Sequence, residues 1–287
     1  MRAKLGTFGW GAFVMVAALA LTLYVAGRQQ IFVEEQNIAS PDVPVGPVTL
    51  YFFGVVAVMA VILFFIPLDK LKLVFRGLFT LMYAWGVFIV SALLLPDAAA
   101  WPLAAIAGLA WLFFPRIWLH NLVLLVTLSG AGSVFGFLFS PWTFMIFMFI
   151  IAVYDIVAVR FGFMVWMADK FSETTALPAF IFPRKLRDWR LGLSVVRVGD
   201  LKDQEPEERE YSILGGGDIG FPLMLAVAVY FSIGAGAAWL VGLFAVAGLM
   251  AAYLIQVLWL KEKPMPALPP IAVMSLIGWL IASAWLG

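Results

Sequence analysis

Apolar runs of about 20 residues recur along the chain, separated by short polar breaks. A helix rises 1.5 Å per residue, so crossing a hydrocarbon core of about 30 Å takes about 20 apolar residues. On that measure spans are expected near 9–27, 48–66, 74–95, 101–115, 121–139, 142–160, 211–232, 237–259 and 267–286. The fourth and fifth are parted only by the stretch from Phe114-Pro115-Arg116 to Asn121. The pattern predicts an all-α membrane protein, a polytopic bundle of nine transmembrane helices.

Lys and Arg stay on the cytoplasmic side of a membrane protein. With nine spans and a cytoplasmic N-terminus, only Arg28 of the 18 basic residues falls outside. The outer segments then carry Glu34, Glu35, Asp42 and Asp97. An even number of spans would break this alternation. The expected orientation is N-terminus cytoplasmic and C-terminus extracytoplasmic. Residues 1–160 hold spans one to six, 161–210 a cytoplasmic loop, and 211–287 spans seven to nine. In the loop, Phe163, Met164, Trp166 and Met167 fit a short interfacial helix. Leu193 to Val198 has strand propensity. The charged, proline-broken stretch from Lys202 to Glu210 reads as mobile.

Composition agrees with a lipid solvent. The chain is 64% hydrophobic and 12% charged, against about 25% charged in soluble domains. A net charge of +1 points to no nucleic-acid or acidic partner. With no cysteine, disulfides, thiolate metal sites and cysteine nucleophiles are excluded. The first apolar run follows Arg2 and Lys4 as a signal peptide would. It is long for a signal core, and Arg28-Gln29-Gln30 is a poor cleavage site, so a retained span is expected. Gly132 and Gly136 form a GxxxG spacing that reads as a helix contact.

Two acids stand out against this background. Asp155 lies in Phe147-Met148-Phe149-Ile150-Ile151-Ala152-Val153-Tyr154-Asp155-Ile156-Val157. Asp218 follows Gly215-Gly216-Gly217 and opens the apolar run from Phe221 to Ser232. An aspartate at membrane depth costs roughly 2.5–3.5 kcal/mol on insertion scales, so it faces a partner or a watery cavity. Counted from Pro141, Asp155 is roughly 21 Å along the sixth span, about 9 Å from the cytoplasmic face. Asp218 is about 10 Å from the same face on the oppositely running seventh span. The two acids are therefore expected to meet. Two carboxylates in one site do not both ionise easily and share a proton. The ionised member takes a proton from water, the protonated one polarises a peptide carbonyl, and a gem-diol follows. This chemistry needs no metal and no cofactor.

The glycines remove side chains beside the acid and loosen the helix start. Pro222 removes an amide hydrogen one turn later. Ahead of the last span, Lys263-Pro264-Met265-Pro266-Ala267-Leu268-Pro269-Pro270 forbids a regular helix through the segment and presents an extended backbone. It reads either as an elbow or as a wall beside the site. From these residues alone three readings stay open: a protease dyad, a proton- or cation-conducting channel or transporter using the same acids, and structural aspartates. No inverted repeat of a transporter is visible. A metalloprotease fits badly, because there is no His-Glu-x-x-His. The sole histidine, His120, reads as an interfacial residue in a short loop.

Tyr154-Asp155, Gly215-Gly216-Gly217-Asp218 and Pro266-Ala267-Leu268 stand in the expected sixth, seventh and ninth spans. In this order and spacing they resemble the presenilin and signal peptide peptidase family of intramembrane aspartyl proteases, and are most similar to its microbial (archaeal) presenilin homologues. The prepilin-type peptidases share a Gly-x-Gly-Asp-like motif but have fewer spans and no Pro-Ala-Leu. Presenilins carry Leu at the position of Gly216 and Lys at that of Ile213. The resemblance implies an intramembrane aspartic endopeptidase with Asp155 and Asp218 catalytic. It implies support from Tyr154, Gly215, Gly217, Pro266, Ala267 and Leu268. Expected partners are transmembrane protein substrates and the lipid bilayer, with homo-oligomer formation left open. The expected location is the cell (plasma) membrane, multi-pass.

Overall fold

The computed structural model describes residues 2–199, 209–259 and 265–286. The chain is mostly helical: α1 (Arg2–Glu35), α2 (Val45–Phe65), α3 (Leu68–Leu94), α4 (Asp97–Phe113), α5 (Ile117–Phe137), α6 (Pro141–Arg160), α7 (Phe163–Glu173), α8 (Gly216–Ser232), α9 (Ala235–Leu258) and α10 (Leu268–Trp285). Among the described residues seven helices are long and apolar enough to cross a membrane. Two more, α4 and α8, are apolar but only 17 residues long. Helix α7 forms where a short helix is expected, and the charged stretch 202–208 lies outside the described residues.

The chain is not all-α. Strand β1 (Ala179–Pro183) pairs antiparallel with β2 (Tyr211–Gly215), Ile181 standing opposite Ile213. The expected seventh span therefore divides: 211–215 is strand and the helix begins at Gly216. Gly216 N–H bonds to Pro178 O at 2.9 Å, so the first amide of α8 is held by the hairpin. Leu193 to Val198 is no strand. A 3-10 turn covers Leu193–Val195, and Leu193 N–H is drawn to Pro115 O at 2.8 Å. The β-branched residues suggested a ladder, but the backbone partner is a loop carbonyl.

Helix α5 sits near the centre, packed against α1, α3 and α8. Its Gly132 and Gly136 are the reason the contact with α8 is close. A Cβ on Gly132 would stand 3.3 Å from Leu223, and one on Gly136 would meet the Met224 carbonyl and Val227. Helices α6 and α10 pack on each other and on α8. Helix α2 is the loosest, burying only Leu63. At the α5–α6 corner, Ser140 caps α6 by accepting from Thr143 N–H. Ser140 N–H donates to Asp42 at 2.9 Å, which holds that carboxyl below the usual carboxylate range.

Candidate active site

Tyr154 and Asp155 sit in the second half of α6. Asp155 is 4% exposed. Its Oδ2 accepts from Leu268 N–H at 3.4 Å, and the start of α10 explains why. Ala267 is the N-cap, and its side chain supplies no cap. Pro269 and Pro270 have no amide hydrogen, so of the first three helical positions only Leu268 has one to give. It gives it to Asp155. The positive end of the α10 dipole is thereby aimed at a carboxylate. Leu268 is buried and Pro266 and Ala267 are half-buried. Lys263 and Pro264 lie outside the described residues.

Asp218 stands at the third position of α8, whose N-cap is Gly215. From there its carboxylate reaches back to the Gly215 backbone amide, one half of a capping box. The charges of Asp218 and Asp155 are close enough to interact, as α6 and α8 pack together. None of the three glycines before Asp218 has a positive φ, so their role is space, not a left-handed backbone. A Cβ on Gly215 would lie 2.9 Å from Asp218 Oδ2, and one on Gly216 2.9 Å from Pro178 O.

The Tyr154 ring meets Phe53 and Phe52 of α2 edge-on, with centroids 5.3 Å and 6.3 Å apart. Phe52 also touches Phe147 and Phe221. The Tyr154 hydroxyl is buried with no hydrogen-bond partner among the described residues. No group of three or more His, Cys, Asp or Glu among the described residues is arranged to hold a metal ion.

Two aspartates, Asp155 buried and Asp218 half-buried, each facing a backbone amide at a helix start, invite comparison with known proteins. The family model described as signal-peptide peptidase, presenilin aspartyl protease matches residues 10–287. The chain belongs to this family of aspartyl proteases. Two solved structures of a presenilin family intramembrane aspartate protease share its fold. One, in a C222 crystal form, gives a TM-score of 0.61 at 16% identity over 95% of this chain and 98% of that one. The other, in a P2 form, gives 0.59 at 18% identity over 94% and 96%. No curated protein matches the chain in sequence. The chain is an integral, multi-pass membrane protein.

Within this family member the three motifs that sequence singles out come to adjoining elements: α6, the hairpin–α8 junction and the start of α10. Sequence reasoning missed several neighbours. Tyr253 of α9 lies within electrostatic reach of Asp218. Gly216, read from sequence only as clearing space beside the acid, is also the residue the hairpin closes upon. His120 is not in a loop at the interface. It is fully buried in α5, beside Asn121 and under β1. A histidine and an asparagine opening an otherwise apolar span were the available signal.

Proposed function

We propose that Asp155 and Asp218 are the catalytic dyad of an intramembrane endopeptidase that cuts peptide bonds inside transmembrane segments. The Leu268 amide on Asp155 carries this reading, because it ties Pro-Ala-Leu to one acid while Gly215 serves the other. The two carboxylates hold one proton between them. The ionised carboxylate takes a proton from water as it attacks the scissile carbonyl. The protonated one donates to that carbonyl oxygen, and the gem-diol collapses with the proton passing to the leaving amine. Gly215, Gly217 and Tyr154 shape the space around the acids, and Pro266, Ala267 and Leu268 border it.

In this proposal α4 and α8 also cross, giving nine spans with the N-terminus cytoplasmic, in the cell membrane. The basic-residue count supports that orientation. The test of the dyad is turnover of a purified transmembrane substrate by the unaltered protein, Asp155→Asn and Asp218→Asn. Both substitutions are expected to abolish cleavage without loss of thermal stability, since each removes a like-charged neighbour. Full activity in either variant would falsify the dyad.

The substrate's scissile stretch is proposed to add as an extended strand to β2. Ile181 turns both its N–H and its C=O toward Asn121 and therefore away from β2. In an antiparallel ladder the opposite residue, Ile213, turns its own pair away from β1. That open edge is a strand-addition site, two residues before Gly215.

A further inference from the structure

Two of the buried polar side chains outside the dyad, His120 and Asn121, stand side by side where α5 begins. Asn121, 5% exposed, spends its whole amide on one residue of β1. Its Nδ2 donates to Ile181 O at 2.6 Å, and Ile181 N–H donates to its Oδ1 at 3.0 Å. His120, fully buried, lies 2.9 Å from Ala179 O through Nε2. Trp111 Nε1–H donates to His120 Nδ1 at 3.2 Å. An indole N–H only donates, so the network assigns the ring proton to Nε2, and the ring donates to Ala179. The outer edge of β1, which would otherwise be a sheet edge seeking a partner, is closed by two adjacent helical side chains.

The bonds continue from there to the acid. Strand β1 pairs with β2, Pro178 O takes the Gly216 amide, and Asp218 stands two residues on. Helix α5 thus grips α8 twice. It holds the body of the helix through the close contacts at Gly132 and Gly136, and the first residue through Asn121, β1 and Pro178. Helix body and helix start are fixed to the same element, so the Asp218 carboxylate has a defined height relative to α5. The same closure leaves the two-stranded sheet one side on which to grow.

We propose that Asn121 and His120 are positioning residues for catalysis: they lock β1 to α5, set Asp218 against Asp155, and reserve the β2 edge for substrate. This rests on the protease reading above. The geometry calls for two variants that break the lock, Asn121→Ala and His120→Leu, and two that keep part of it. Asn121→Asp retains the acceptor for Ile181 N–H. His120→Gln retains both an acceptor for Trp111 and a donor for Ala179.

The measurements are kcat and KM on a purified transmembrane substrate, thermal unfolding, and hydrogen–deuterium exchange across 179–183 and 211–218 in the full chain without substrate. Breaking the lock is expected to lower kcat about 10- to 100-fold, the scale of a misplaced reacting group, with KM little changed. The amides of 211–215 should exchange faster in the same variants. His120→Gln should recover most of kcat, and Asn121→Asp should fall between. A purely structural role would lower the folded fraction and leave kcat per folded molecule alone, and that result overturns the proposal. Unchanged protection at 211–215 in Asn121→Ala also overturns it. An unaltered chain that cleaves no transmembrane substrate sinks the protease reading instead, and the exchange arm still decides the coupling.

Discussion

Around the two acids, single atoms decide what is tolerated. A methyl group on Gly215 would press on Asp218 Oδ2, and the atom that gives way is the end of a side chain rather than the backbone. Gly215→Ala is therefore expected to leave the thermal midpoint within a few degrees, since only the Asp218 side chain stands within 4 Å of the added carbon. Turnover should fall about 10-fold or more, because in the proposed dyad the displaced group is a reacting one. Turnover equal to that of the unaltered protein would show that the carboxylate has room to spare. The acids themselves were legible in the sequence because a charge in an apolar run needs an explanation. Leu268 was expected beside the site through Pro-Ala-Leu, but not the way it acts. Its amide, not its side chain, meets Asp155, and nothing in a residue's letter announces a backbone donor. His120 was misread for a related reason: beside Arg116 and Trp118 it looked interfacial, but Ala179 O, 59 residues away, is its partner.

At the scale of elements, the helices follow from apolar run length, and their bounds lie within about six residues of those expected except in α1, which runs to Glu35, past the expected end at Gly27. The hairpin does not. Ala179-Phe180-Ile181-Phe182-Pro183 is buried at every position, so it lacks the alternation that marks a half-exposed strand. Tyr211 to Gly215 runs straight into an apolar helix and reads as the start of that span. The pairing between them bridges a stretch that composition marks as polar loop. If this hairpin receives the substrate, helix strength in the substrate controls the rate, because a transmembrane helix must unwind before its backbone can pair. Gly or Pro placed near the scissile bond should speed cleavage, with cuts in the cytoplasmic third of the substrate span. Product masses from a series in which such residues are moved along the span are the check. Cuts near the outer face, or rates indifferent to helix strength, would rule out strand addition.

Over the whole molecule, the natural lack of cysteine makes orientation directly measurable. Single cysteines at Asn37 and at Leu186, both exposed, should be labelled from opposite sides of a sealed cell: Asn37 by an impermeant maleimide added outside, Leu186 only after permeabilisation. The reverse pattern would invert the topology proposed from the basic residues. One dimension of the molecule has a separate consequence. Helix α8 has 17 residues, about 26 Å at 1.5 Å each, against a hydrocarbon core of about 30 Å. In the proposed nine-span topology the crossing is completed by β2, whose Ile213 backbone groups face away from their partner strand. Unpaired amides are not left in oil, so in that topology the bilayer is expected to thin or hydrate at the end of α8 that bears Asp218. A hydrolase in lipid needs a wet reaction centre, and in the proposed topology the shortfall of α8, unlike that of the equally short α4, falls at the acid and would bring water to it. Bilayer thickness then becomes a control on rate: turnover should climb from long-chain to medium-chain lecithin vesicles, and a flat profile would show that the water enters by another route.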